Sequence, residues 1–396
     1  MQKTLCLLLT LSLSLVSASA FAGWDEGVAA YTAKNYQEAI NQFVAYLDEI
    51  DQLGGDPKEA QYQPAYFMIG ASQFRLKNYQ EAIESLKTSL EMKAGDLNTQ
   101  LTLGQAYFRS GDHNNAASTL AKLDAGSLPK ATQATIAKMV ATSYQQSGNT
   151  SMTLRGWENA AKLNPSDAAS QFNYGTQALA NGYTDDAIAA LTKASSLDAK
   201  DPVKHRALAT ALLRKGRETK DPAAKKSTYT KAVSAAQKLV QAESNFDNLL
   251  LLGETQLGAK QYDGSISSLN QATTKNSSDW LPYYYLGQAH TANGDYAAAI
   301  DPLEAAQGKP KADQKKIFSQ LGFVYEKQKK YPEAKEAYGK AGDQAGLRRV
   351  QENQDIAEEN KGIEAQNKQI EELERQKKEL EREMQALPGT QSKPEE

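Results

Sequence analysis

The chain has 396 residues, a single cysteine and a formal charge of −3 at pH 7. That balance excludes the basic stripe with which a nucleic-acid binder collects phosphates, and one cysteine cannot build a disulfide framework. The length would allow two or three ordinary domains, but the repeats below need no central core, so it counts the modules of one elongated array.

The first element is a leader. Met1-Gln2-Lys3 precedes an apolar run from Leu5 to Val16, followed by Ser17-Ala18-Ser19-Ala20-Phe21-Ala22-Gly23. One positive charge, a short apolar stretch and an Ala-x-Ala ending describe a secretory signal peptide over residues 1–22; a membrane-spanning helix needs about 20 apolar residues. Cleavage is expected after Ala22, with Ala20 as the second choice. Cys6 lies in the apolar run and leaves with the leader. A cysteine-free mature chain exported into an oxidising space points to a bacterial periplasm, since secreted eukaryotic domains usually carry disulfides.

From Gly23 to Gly346 one pattern recurs: a small residue, an aromatic a few positions on, and a second small residue twelve positions after the first. It runs Gly27 to Ala39, Gly70 to Ala82, Gly104 to Ala116, Ala141 to Thr153, Gly175 to Ala187, Gly253 to Ser265, Gly287 to Ala299 and Gly322 to Ala334. Gly70 and Gly104 are 34 residues apart, as are Gly253 and Gly287, which is the period of stacked helix pairs. In the third unit, Leu101, Leu103, Tyr107 and Phe108 share one side of a first helix. Gly111-Asp112 makes the break, and Ala116, Leu120 and Leu123 mark a second helix. Two antiparallel helices cross closely only where side chains are small, which gives the glycines and alanines their reason.

The regularity breaks in three places. Residues 54–62 form an insertion between the first two units. Residues 217–227, with Gly216, Asp221-Pro222 and several lysines, read as an exposed loop before a second helix at Thr228 to Gln241. Pro302 falls inside a second helix and is expected to kink it, whereas Pro332 sits harmlessly in a first turn.

After Gly346 the composition turns heptad. Ile356, Ile363 and Ile370 are seven apart, as are Leu373, Leu380 and Leu387; Lys377 and Met384 complete one row, while Glu359 and Gln366 weaken the other. Residues 347–387 are therefore expected as one long charged helix, either pairing through this seam with another helix or standing alone. Pro388-Gly389 ends it, and residues 388–396 form a tail with no core to join.

The repeats resemble the tetratricopeptide family. Gly322, Tyr325, Tyr331, Ala334, Tyr338 and Ala341 follow its motif, as do Leu286, Gly287, Gly294, Tyr296 and Ala299, and Trp157, Ala160 and Pro165 match its end. The resemblance covers about 23–346 and implies an all-α, right-handed superhelical solenoid of about nine antiparallel helix pairs. It further implies that the first helices line a concave groove, with ligand contacts three before and one, four and five after each small residue. In the first three units those positions hold Trp24, Phe67 and Leu101; Val28, Ala71 and Gln105; Tyr31, Phe74 and Phe108; and Thr32, Arg75 and Arg109. The rings either receive an extended peptide, with the arginines on its carboxylates or carbonyls, or wedge neighbouring repeats apart. The Lys and Asn clamp that some family members use for a terminal carboxylate is missing at the matching positions.

No catalytic constellation is present: no phosphate-cradling loop, no His-Glu-x-x-His and no Gly-x-Ser-x-Gly. His113 and His290 take the places of packing aromatics and His205 reads as a surface residue, so neither a metal nor a cofactor is expected. The sequence thus reads as a non-enzymatic scaffold of the cell envelope that binds proteins or extended peptides, with self-association possible through the C-terminal helix. The alternative is an accessory that binds cell wall or exopolysaccharide by stacking sugars on tyrosines.

Overall fold

The computed structural model describes residues 23–55 and 62–386, and every regular element in them is helical. The leader, residues 56–61 of the first insertion, and Leu387 with the tail lie outside the described residues. The chain divides into two compact units, one ending at Asp198 and one beginning at Ala199.

The first unit holds five helix pairs. They are α1 (Trp24–Thr32) with α2 (Tyr36–Gln52), α3 (Tyr62–Leu76) with α4 (Tyr79–Met92), α5 (Leu97–Ser110) with α6 (His113–Ala121), α7 (Lys130–Gln146) with α8 (Thr150–Leu163), and α9 (Ala168–Ala180) with α10 (Thr184–Leu197). The second unit holds four more: α11 (Pro202–Glu218) with α12 (Pro222–Ala242), α13 (Phe246–Gly258) with α14 (Tyr262–Lys275), α15 (Leu281–Asn293) with α16 (Ile300–Gln307), and α17 (Gln314–Lys327) with α18 (Tyr331–Ala341). A last helix, α19 (Gln344–Ala386), follows. Within each unit every helix packs on the next, so the pairs form a stack. The described residues are all-α, as expected, and hold nine helix pairs, five stacked in the first unit and four in the second.

The turn inside eight of the nine pairs, all but α11–α12, repeats one hydrogen-bond pattern. The amide of Asn35 donates to Ala30 O, Asn78 to Gln73 O, Asp112 to Tyr107 O, Asp295 to His290 O and Lys330 to Tyr325 O. This six-to-one bond is the Schellman helix ending, which needs one residue in the left-handed region. Gly111, Gly148, Gly182 and Gly294 supply it in four pairs; in four others Lys34, Lys77, Lys260 and Lys329 hold φ of 61–69° and bear the steric cost.

The glycine-to-alanine echo hides a third partner. A Cβ built on Gly104 would stand 2.4 Å from Leu120, on Gly253 2.5 Å from Leu269, and on Gly287 2.4 Å from Leu303, each a residue sixteen positions on. The alanine twelve on is fully buried beside this contact, with Ala82 O only 3.3 Å from a Cβ on Gly70. The glycine therefore makes a socket for a leucine, and burying each such leucine is worth about 1.5–3 kcal/mol. The fourth pair inverts the arrangement. Ala141 takes the glycine's place, and Gly156, on the second helix, presses on its backbone.

Three sequence expectations change. Residues 217–227 are not a loop, because α12 begins at Pro222, one and a half turns early. Asp221 caps it by accepting from the Ala224 amide at 2.7 Å, and Pro222 opens the first turn, so Asp-Pro here starts a helix. Pro302 does not kink its helix but shortens it: residues 296–299 are turn, and α16 starts at Ile300 with Pro302 in its first turn, where no amide is missed. His205 is buried at 3 % exposure, its Nε2 2.8 Å from Ala199 O in the turn that precedes α11.

The C-terminal helix starts at Gln344, where Asp343 accepts from the Gly346 amide at 2.9 Å. Its first turns are docked, with Val350 fully buried against Ala334 and Tyr338. Glu326, on α17, anchors them. It accepts from Arg349 Nε and Nη2 at 3.0 Å each, from Asn353 at 2.9 Å and from the Tyr338 hydroxyl at 2.8 Å. Burial pushes the Glu326 carboxyl up, but these donors together hold it below the usual range.

Candidate functional site

In the first unit the residues expected to line a groove are mostly occupied with packing. Trp24 stacks on Phe43 and Tyr46 of α2, both at 5.3 Å between ring centroids. Tyr31 meets Tyr36 at 5.4 Å, Phe74 meets Tyr79 at 5.7 Å, and Phe108 meets His113 at 5.7 Å. Each of these three contacts joins the ring four after the small residue to the ring that opens the second helix of the same pair. Phe67 bridges two core clusters. Leu101 is buried with Leu120 and Ile136, which leaves it no face for a ligand. Val28 is half-buried and Ala71 buried; Thr32 donates to Val28 O. Gln105 and Arg75 are half-buried and Arg109 is exposed, so they and the partly exposed ring edges are what this surface offers a partner.

The second unit carries a real hollow. A cavity of about 530 Å³ opens between first helices α11, α13, α15 and α17, with Leu213, Glu254, Leu257, Trp280, Tyr284 and Gln288 among its lining. Leu213, Leu257 and Tyr284 hold, relative to Ala209, Gly253 and Gly287, inward positions that the first three pairs fill mostly with rings, and Glu254 and Gln288 hold the position filled there by Val28, Ala71 and Gln105. A second hollow of about 310 Å³ shares Tyr284 and Lys316 with it and continues past Phe323 to Arg349.

Its chemistry is that of rings held in place by charges. Trp280 and Tyr284 lie 5.6 Å apart, and Tyr284 and Tyr285 5.8 Å. The Tyr285 hydroxyl donates to Glu254 Oε1 at 2.9 Å, and Arg217 pairs with the same carboxylate. Burial first, and the Glu254 charge second, push the Tyr285 phenol above its usual range. Gln288 donates to the Tyr284 hydroxyl at 2.9 Å. Lys316 stays largely exposed at the mouth.

The position four after Gly253 holds Leu257, which lines the hollow, where the first three pairs hold a ring, although Tyr262 still opens the second helix of this pair. Tyr229 of the extended α12 closes the floor, its ring seated on Gly216 and Gly258, where an added Cβ would stand 2.8 and 2.3 Å away. Among the described residues no three metal-binding side chains converge.

Residues 73–126 match one tetratricopeptide repeat family model and residues 250–314 match another, one in each unit. Each unit thus contains tetratricopeptide repeat sequence. No curated protein matches it. Among solved structures it is similar to YrrB, described as a TPR protein with an unusual peptide-binding site, at 18 % identity and TM-score 0.39 over 50 % of this chain and 97 % of that one. It is also similar to MamA (41-end) from Desulfovibrio magneticus RS-1, at 22 % identity and TM-score 0.38 over 46 % of this chain and 96 % of that one. A tetratricopeptide repeat protein from Parabacteroides merdae gives 12 % identity and TM-score 0.38 over 63 % and 95 %.

Proposed function

We propose that this chain is a non-enzymatic interaction scaffold of the bacterial cell envelope, exported by its leader. Its principal ligand is an extended segment of a partner protein, held in the hollow of the second unit. The observation that carries this reading is the cavity lined by Trp280, Tyr284 and Tyr285, whose ring positions are fixed by Glu254, Arg217 and Gln288. Rigid aromatic walls give contact area at low entropic cost, and Lys316 at the rim supplies a cation for a carboxylate or carbonyl of the bound segment. Arg75 and Arg109 offer a second, more polar contact on the first unit. The exposed seam of α19 is a further interaction surface.

Recovery of partners from envelope extract tests the groove. Trp280→Ala with Tyr284→Ala abolishes recovery if the second unit holds the partner; Phe67→Ala with Arg109→Ala does so if the first unit does. Unchanged recovery in both removes the groove reading altogether. Sedimentation with purified cell wall, lost in the Trp280→Ala variant, would favour the glycan-binding alternative. Export is checked separately, by finding a mature N-terminus at Gly23, or at Phe21, in the periplasmic fraction.

A further inference from the structure

Beyond its docked first turns α19 meets nothing else among the described residues. From Glu358 to Met384 every residue is exposed, including Ile363, Ile370, Leu373, Leu380 and Met384 at 47–71 %. Two rows run along this free part. One holds Ile356, Ile363, Ile370, Lys377 and Met384; the other holds Glu359, Gln366, Leu373 and Leu380. The order of apolar and polar residues in one row is close to that of the other read backwards.

We propose that α19 pairs with the α19 of a second copy running in the opposite direction, centred between residues 371 and 372. This rests on reading the seam as an interaction surface and adds the occupant and its direction. In a parallel, in-register pair each row faces itself, so Lys377 would meet Lys377 and Glu359 would meet Glu359 in the buried seam, at a cost in like charge. Antiparallel pairing sets one row against the other. Ile370 then faces Leu373 of the second copy, Ile363 faces Leu380, and Lys377 faces Gln366, whose amide oxygen accepts from the ammonium. Glu359 faces Met384 near the ends, where its carboxylate reaches water.

The neighbouring antiparallel register is worse. Sliding by one heptad would face Lys377 with Glu359, but it sets Ile370 against Gln366 and carries the second helix back to Arg349, which Glu326 already holds. The flanking positions fit a chain meeting itself. Asn360, Asn367, Gln369 and Gln376 are uncharged. The charged ones, Glu374, Glu381 and Glu383, fall beside Asn367, Asn360 and Gly362 of the second copy, so no like charges meet across the seam.

Cysteine pairing in the full chain tests this, with Cys6→Ser removing the single native thiol. Ile363→Cys and Leu380→Cys are made separately, mixed and mildly oxidised, while light scattering follows the unoxidised parent. The expected result is a doubled mass for the parent and a mixed 363–380 disulfide as the main product. Two 380 positions would lie about 25 Å apart in this pairing at 1.5 Å per residue, so a 380–380 disulfide as the main product overturns the direction. A 356–380 disulfide from Ile356→Cys, in preference to 363–380, overturns the register. A monomer at every concentration overturns self-pairing itself and leaves the groove of the second unit untouched.

Discussion

Gly156 offers the sharpest test of how the helix pairs close. A methyl added there would stand 2.8 Å from Ala141 Cα and 3.0 Å from Ala141 Cβ across the α7–α8 contact. Carbon atoms pack at about 3.5–4.0 Å, so the two helices must part by roughly 1 Å. The obstacle is main chain, which no rotamer change can clear, so Gly156→Ala incurs the upper part of the about 1–3 kcal/mol that overpacking costs. Better helix propensity returns about 1 kcal/mol, leaving a net loss of about 1–2 kcal/mol. Gly339→Ala, on the open face of α18 with nothing within 4 Å, keeps the propensity gain alone and should stabilise by about 0.5–1 kcal/mol. Urea unfolding followed by helical circular dichroism reads the two midpoints. Because repeat arrays lose two-state behaviour, hydrogen exchange in α7 and α8 locates the effect. The reasoning fails if both variants shift the midpoint the same way, or if Ala141→Gly fully rescues Gly156→Ala, since removing the Ala141 side chain leaves its Cα in place.

The left-handed lysines predict a gain: Lys34→Gly and Lys77→Gly each relieve about 1–2 kcal/mol of steric cost and lose about half of that to the freer unfolded chain, so thermal melting should rise in both. Glu326 has a folded pKa held below its unfolded value of about 4.3, so its contribution is complete above that pH and is lost as pH falls through the folded value; pepsin should then cut within residues 344–353 well before α1 to α10 open. Tyr285 and Tyr338 are raised instead, by burial first and the adjacent carboxylate next, so their contribution is present below about pH 10 and is lost in alkali; spectrophotometric titration should show phenols that ionise only on unfolding. Leu257→Phe restores a ring at the position four after Gly253, where it can stack on Tyr262 as Phe74 does on Tyr79; melting should be unchanged within about 1 kcal/mol while the hollow fills and partner recovery falls. Full recovery with that variant would show that the hollow is not the contact surface.

The periodic parts of the fold were legible because they repeat. Eight copies of a small residue at fixed spacing give a helix pair even where each copy is degenerate, and the Gly-Asp and Lys-Asn breaks fall where the Schellman endings do. What stayed hidden is whatever depends on a neighbour in space. The side chain seated on each echo glycine, a leucine in five pairs, Phe43 on Gly27 and Tyr338 on Gly322, lies sixteen residues away, outside the window in which the echo is seen. Asp221-Pro222 is ambiguous by nature, since the same pair opens a turn or caps a helix, and only the room for a long α12 beside α11 decides. His205 looks like a surface residue until the turn at Ala199 folds back to meet its imidazole.

The hollow of the second unit stayed hidden for a related reason. Rings recur at the inward positions of the first unit, and a ring there reads equally well as a ligand contact or a wedge. The structure shows those rings engaged with Tyr36, Tyr79 and His113 of their own pairs. In the second unit the position four after Gly253 holds Leu257 in place of a ring, and the hollow lies against it. Tyr284 keeps the ring position of Trp24 and Phe67, while Trp280 and Tyr285 add rings that the motif does not require, and the three line that hollow. In a repeat protein the motif marks residues busy with packing, so a binding surface is better sought where one copy lacks an expected ring and its neighbours carry rings the motif does not require.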